Sequence, residues 1–175
     1  MAGLRLLRLA GQKILDNNYD LFYVKTMRPL LIILLSVGLL WLRSSFGKFT
    51  GGTFVNSLGA TLTKTAEKNP YPWFKDFLTS VAIPNAQVFG LLVLWGEILS
   101  AVAITVGAIM LLMNSHPNKF VSLVLVAGLA GGALLNIVFW LGFGYTSPST
   151  ESLNLLMAVV QIIGIFFVMQ QFAKG

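Results

Sequence analysis

The chain has 175 residues, of which 56% are hydrophobic and only 10% carry a charged side chain. Soluble domains carry about 25% charged residues, so this composition leaves too little polar surface to cover a globule in water. It excludes an ordinary soluble enzyme, a disordered tail and a nucleic-acid-binding module. It predicts an all-α protein that crosses a lipid bilayer several times.

The first 28 residues predict a short amphipathic helix on the cytoplasmic membrane surface. Leu4, Leu7, Ile14 and Leu15 recur at roughly helical spacing, and basic residues lie between them. Arg5, Arg8 and Lys13 interrupt the apolar residues, and no small-residue cleavage site follows, which argues against a signal peptide. A disordered basic tail is the alternative interpretation.

The rest of the chain, residues 29–172, predicts a single bundle of four transmembrane helices. The predicted spans cover about 29–50, 87–113, 120–143 and 148–172. The uncharged run from Leu30 to Leu42 would be only about 20 Å long as a helix, shorter than the ~30 Å hydrocarbon core. The first span must therefore continue through Arg43 and towards Lys48.

The long connection, residues 51–86, predicts two short helices at the membrane interface. Two apolar faces with helical spacing flank the Asn69-Pro-Tyr-Pro72 stretch, where the helices should be divided. Tyr71 and Trp73 suit the aromatic belt of a bilayer.

Counting Lys and Arg predicts the orientation. The segment before the first span has five, and the turn after the second span and the C-terminus have one each, whereas residues 51–86 have three. Seven against three places both termini in the cytoplasm.

Cofactor chemistry is restricted by composition. There is no cysteine and a single histidine, His116. We therefore expect no disulfide, no metal site and no covalently bound cofactor. His116 is interpreted as a solvated turn residue.

Polar residues inside the spans are the candidate functional residues, because each is costly in a membrane unless paired or hydrated. Arg43 and Glu97 have similar predicted depths and are the candidate catalytic pair. The candidate substrate-binding residues surround a pocket in the outer half of the bundle: Lys48, Trp41, Trp95, Asn136, Asn154 and Gln161. Arg43 does not share the face of Trp41 and Lys48, so one of the two basic residues could point outward instead.

Structural roles explain the same residues without any ligand. An Arg–Glu pair can fix helix register. Asn136 and Gln161 can simply form interhelical hydrogen bonds, with Gly128 and Gly132 allowing a neighbouring helix to approach. Both interpretations stay open at the level of sequence.

Several segments resemble the DoxX/DoxD family of small four-span membrane proteins. They are Trp41-Leu-Arg43, Phe46-Gly-Lys-Phe49, residues 69–78 and 83–85, Gly96-Glu97 with Gly107, Asn136, and residues 145–154. The resemblance covers about residues 28–170, and it rests on the order and spacing of motifs that are not diagnostic singly. It implies a protein of the prokaryotic cytoplasmic membrane.

The same resemblance implies a membrane subunit of a quinone-linked oxidoreductase, with other subunits or further copies of the chain as partners. In this hypothesis Arg43 or Lys48 donates to a quinone oxygen, Glu97 relays a proton, and Asn136 and Asn154 orient the ring. The alternative is a non-catalytic structural or assembly subunit. A small transporter is a third hypothesis, which the lack of repeats disfavours.

Overall fold

The structure is a computed structural model that describes residues 27–113 and 119–172. These residues form six α-helices and no β-strand: α1 Arg28–Gly51, α2 Phe54–Lys68, α3 Pro72–Phe77, α4 Ala86–Met113, α5 Lys119–Phe143 and α6 Pro148–Phe172. A π-helical turn, Leu78–Ala82, follows α3, and a 3-10 turn, Gly144–Thr146, precedes α6. The predicted N-terminal amphipathic helix and the predicted turn around His116 lie outside the described residues.

Four of the helices, α1, α4, α5 and α6, are each long and apolar enough to cross a membrane. This confirms, for the described part of the chain, the predicted helical class and the four potential spans. Consecutive long helices pack side by side, and α6 also contacts α1. Their shared core includes Leu31 and Leu34 of α1, Ile104 of α4 and Leu125 and Leu129 of α5.

Glycines set the close approach between these helices. A Cβ atom on Gly128 of α5 would lie 2.7 Å from the Ala103 side chain and 3.1 Å from the backbone nitrogen of Ile104, both on α4. A Cβ on Gly38 of α1 would lie 2.5 Å from the hydroxyl oxygen of Thr105. Small residues at such points let helix backbones approach in a membrane, where no hydrophobic effect drives helices together.

Helices α2 and α3 fill the long connection and pack against α4 and the end of α5. Gly52 turns the chain from α1 into α2 with a φ of 65°, a left-handed conformation that suits glycine. Val55 then packs on Gly90 of α4. At the other end, the Asn69 side-chain amide donates to the Leu141 carbonyl at 2.9 Å and the Tyr145 hydroxyl donates to the Thr65 carbonyl at 3.1 Å. These contacts hold the α2–α3 pair across α4 and α5.

Replacing Gly128 with Leu should destabilise the fold by about 1–3 kcal/mol, because the new side chain overpacks the α4–α5 contact. Thermal unfolding in detergent measures the change. Gly47→Leu is the matched control, since a Cβ at Gly47 of α1 would meet nothing within 4 Å. Equal melting temperatures for the two variants would show that the α4–α5 contact is not tight at Gly128.

Candidate functional site

The site begins with a buried ion pair between α1 and α4. The Lys48 ammonium group contacts Glu97 Oε1, and this is the one salt bridge among residues 27–113 and 119–172. Glu97 is 0% exposed, whereas the Lys48 side chain is 26% exposed. The ammonium nitrogen also lies 4.9 Å from the ring centre of Phe54 and 5.0 Å from that of Phe139. Two aromatic faces and one carboxylate therefore surround this cation.

The buried carboxylate of Glu97 depends on Lys48 for its counter-charge. Its second carboxylate oxygen, Oε2, is buried and has no hydrogen-bond partner in the described part of the chain. A carboxylate in an apolar interior is strongly disfavoured unless an opposite charge or a proton neutralises it. The pair is therefore a unit, and neither member can be removed without consequences for the other.

The prediction that Arg43 pairs with Glu97 is wrong. Arg43 is exposed on the outside of α1, and Lys48 makes the contact instead. Helical geometry explains the difference, because Trp41, Ser45 and Lys48 are three or four residues apart and share one face. Arg43 is two residues from Trp41, about 200° around the helix.

A large apolar cleft opens beside the ion pair. Its volume is about 670 Å³, within the usual range for ligand sites. It lies between the α2–α3 pair and the facing surfaces of α4 and α5, and it extends from Phe89 to Ser100 along α4, about 16 Å of helix. Lys48 is the one charged side chain among the described residues that line it.

The few polar groups on the cleft wall are spread over several helices. Ser57, Thr61 and Thr65 come from α2, Ser100 from α4, and Thr150 and Asn154 from α6. The Asn154 amide donates to the Thr150 carbonyl at 2.8 Å, which holds this side chain at the wall. Asn154 is thus a predicted site residue that does line the cleft together with Lys48.

Asn136 and Gln161 form a second polar group inside the bundle, away from the cleft wall. The Asn136 amide donates to Gln161 Oε1 at 2.8 Å, linking α5 to α6. Trp41 Nε1 and Gln161 Nε2 are also buried and find no acceptor among the described residues. A Cβ on Gly132 would lie 3.2 Å from Trp41 Nε1 and closer still to the Gln161 amide, so only glycine leaves room for both groups.

The two tryptophans predicted to wall the pocket do not do so. Trp95 is 51% exposed on the outside of α4, and Trp41 is buried in the core. Trp41 instead packs on Phe139, with 6.1 Å between ring centres. Phe139 is close to both Trp41 and Lys48, so the residues of the predicted single pocket fall into two neighbouring groups, one in the core around Trp41 and one beside Lys48 on the cleft wall.

Sequence reasoning missed the aromatic and hydroxyl residues that complete the cleft. Phe139 lies three residues after Asn136, close to its helical face, and Phe54 and Leu58 belong to the predicted apolar face of α2. The sequence predicts only that α2 lies at the membrane interface. In the structure Leu58 is buried and both residues line the cleft. Helical spacing identifies such a face but does not reveal what covers it.

Comparison of the chain with protein-family profiles, curated proteins and solved structures finds no match.

Replacing Lys48 with Met should destabilise the protein by about 2 kcal/mol or more, because it leaves Glu97 buried without its counter-charge. Arg43→Met should change stability by less than about 0.5 kcal/mol, as expected for an exposed side chain. Chemical unfolding in detergent compares the two variants. A larger loss for Arg43→Met would mean that Arg43 is the structural cation.

Asn136 and Gln161 should be energetically coupled. Each of the substitutions Asn136→Leu and Gln161→Met removes the interhelical hydrogen bond, so the double variant should cost less than the sum of the singles. Couplings of this kind in membrane proteins are about 0.6–1.7 kcal/mol. The unfolding free energies of the wild type, the two single variants and the double variant give the coupling energy directly. Strict additivity of the two single effects would contradict the prediction.

Proposed function

We propose that the chain is an integral membrane subunit of a quinone-linked redox system, similar to DoxX/DoxD proteins, and that it binds a quinone in the cleft beside Lys48. The observation that carries the proposal is an apolar cleft whose wall, among the described residues, has one charged group, and this group is already paired with a buried carboxylate. A quinone is mainly apolar and presents two carbonyl oxygens that accept hydrogen bonds. Such a cleft supplies apolar surface for the molecule and a small number of polar groups to orient it.

The proposed position of the ring is next to Lys48. The rings of Phe54 and Phe139 flank the ammonium group and offer flat surfaces against which a quinone can pack. The ammonium group has three N–H donors, so it can donate to a carbonyl oxygen while it keeps its contact with Glu97. Asn154 and Thr150 are polar groups elsewhere on the wall that can meet the other carbonyl.

The ion pair also offers a source of protons. Reduction of a quinone to a quinol takes two electrons and two protons, and we assign the electrons to a partner subunit. Lys48 can give one proton to the reduced quinone oxygen. Lys48 is then reprotonated by a proton taken up from bulk water, which Glu97 can relay because the two side chains are in contact, and the second proton is taken up from water by the same route. Trp41, Trp95 and Arg43 have no role in binding in this proposal.

The proposed orientation follows from the distribution of basic residues. With both termini in the cytoplasm, the α2–α3 pair lies at the outer interface and the cleft lies in the outer half of the bundle. Tyr71, whose ring centre lies 5.8 Å from that of Trp140 with the two rings tilted, would sit at that interface as part of an aromatic belt.

Quinone binding should fail when the cleft is filled from α2. Thr61 lines the cleft and Thr63 does not, although both are exposed threonines whose hydroxyls donate to carbonyls one turn earlier. Thr61→Trp should therefore weaken binding of a short-chain quinone at least tenfold, and Thr63→Trp should leave it unchanged. Titration of the purified protein in detergent gives both affinities.

Two results would contradict the proposal. One is the absence of saturable quinone binding by the folded wild-type protein. The other is equal affinity in the Thr61 and Thr63 variants, which would place the quinone elsewhere. A folded protein that binds no quinone but purifies with other membrane subunits would favour the alternative of a structural or assembly subunit.

A further inference from the structure

We propose that Glu97 determines the charge selectivity of the cleft, so that the cleft accepts uncharged headgroups and rejects anionic amphiphiles. The inference rests on the proposed function only in taking the cleft as a ligand site. It concerns what kind of headgroup the cleft admits, and it assigns to Glu97 a role as a specificity-determining residue in addition to any part in proton transfer.

The two members of the ion pair occupy different positions relative to the cleft. Lys48 lines the cleft and is partly exposed, whereas Glu97 is fully buried behind it and does not line the wall. A ligand therefore touches the cation but not the anion. A lone lysine in this position would attract carboxylate, sulfonate or phosphate headgroups.

Glu97 cancels that attraction. Its carboxylate contacts the Lys48 ammonium group, so an anionic headgroup beside Lys48 would also be repelled by a negative charge one side chain away. The net charge of the pair is zero whichever of the two side chains holds the proton. An anion would lose its hydration on entering the apolar cleft and would meet no net opposite charge to compensate.

An uncharged acceptor does not have this difficulty. A carbonyl or sulfonyl oxygen needs only a hydrogen-bond donor, and Lys48 has donors beyond the one directed at Glu97. Phe54 and Phe139 also contact the cation through their ring faces, which present negative partial charge and further reduce its pull on an anion. The geometry thus favours neutral, acceptor-bearing amphiphiles.

Two probes with the same alkyl tail test the inference: decyl methyl sulfone, which is neutral, and decyl sulfonate, which is permanently anionic. Their affinities are measured calorimetrically with the full-length protein in nanodiscs of zwitterionic lipid, after subtraction of empty nanodiscs. For each probe, the affinity of a variant is divided by that of the wild type, so membrane partitioning cancels. For the wild type, each affinity is instead referred to the concentration of probe in the lipid, measured with the empty nanodiscs. On that scale the wild type should bind the sulfone more tightly than the sulfonate.

Glu97→Gln should raise the affinity for the sulfonate at least tenfold relative to the sulfone, because it uncovers the charge on Lys48. The double variant Lys48→Gln, Glu97→Gln should abolish this gain. Glu67→Gln is the matched control, since Glu67 is exposed on α2 and does not line the cleft. It removes the same formal charge and should leave the ratio unchanged.

The decisive quantity is the variant-to-wild-type affinity for the sulfonate divided by the same quantity for the sulfone. A change of less than twofold in this ratio for folded Glu97→Gln would overturn the inference. So would wild-type protein that binds the sulfonate as tightly as the sulfone at equal concentrations of probe in the lipid. This result needs no variant and holds even if Glu97→Gln fails to fold. If the wild type binds no quinone but Glu97→Gln shifts the sulfonate-to-sulfone ratio as expected, only the proposed function is refuted. If the wild type binds quinone but Glu97→Gln leaves the sulfonate-to-sulfone ratio unchanged, only the proposed charge selectivity is refuted.

Discussion

The contact between Lys48 and Glu97 is the constraint on which the rest of the site depends. A carboxylate that is fully buried on a membrane-spanning helix needs a counter-charge on a neighbouring helix. Because α1 remains helical past Arg43, its sixth turn presents Lys48 to α4. Because α1 ends three residues later, Phe54 at the start of α2 lies directly over the same ammonium group. One ion pair thus fixes the helix register and the first wall of the cleft.

The α2–α3 pair turns an ordinary groove between two long helices into a cleft. Leu58 and Leu62 of α2 and Phe74 of α3 bury themselves against one another and against the ends of α4 and α5. The Asn69 amide donates to the Leu141 carbonyl of α5, and the Tyr145 hydroxyl, from the 3-10 turn after α5, donates to the Thr65 carbonyl of α2. One side chain from each side thus joins the α2–α3 pair, which forms a cap over the groove, to the end of α5. The cap therefore covers the groove while its lining residues stay free to contact a ligand.

Sequence periodicity predicted the helical class and the four apolar helices because both depend on local composition. It also placed Lys48, but not Arg43, on the same face of the first span as Trp41, and Lys48 is the residue that pairs with Glu97. The estimate of depth favoured Arg43 instead, and depth alone does not determine which way a side chain points. The outward position of Trp95 and the burial of Phe139 depend on which helices are neighbours, and no pattern within one helix contains that information.

The Asn136–Gln161 pair and the Lys48–Glu97 pair occupy separate places in the bundle, and their chemistry explains why. Asn136 and Gln161 are uncharged and satisfy part of their hydrogen-bonding capacity between themselves, so they can be packed in the core around Gly132. The Lys48–Glu97 pair lies at the cleft, where Lys48 is partly exposed and is flanked by two aromatic rings. Phe139 packs on Trp41 in the core and also lies beside the Lys48 ammonium group. The core amides can therefore hold α5 to α6, while Lys48 lines the cleft and stays available to a ligand.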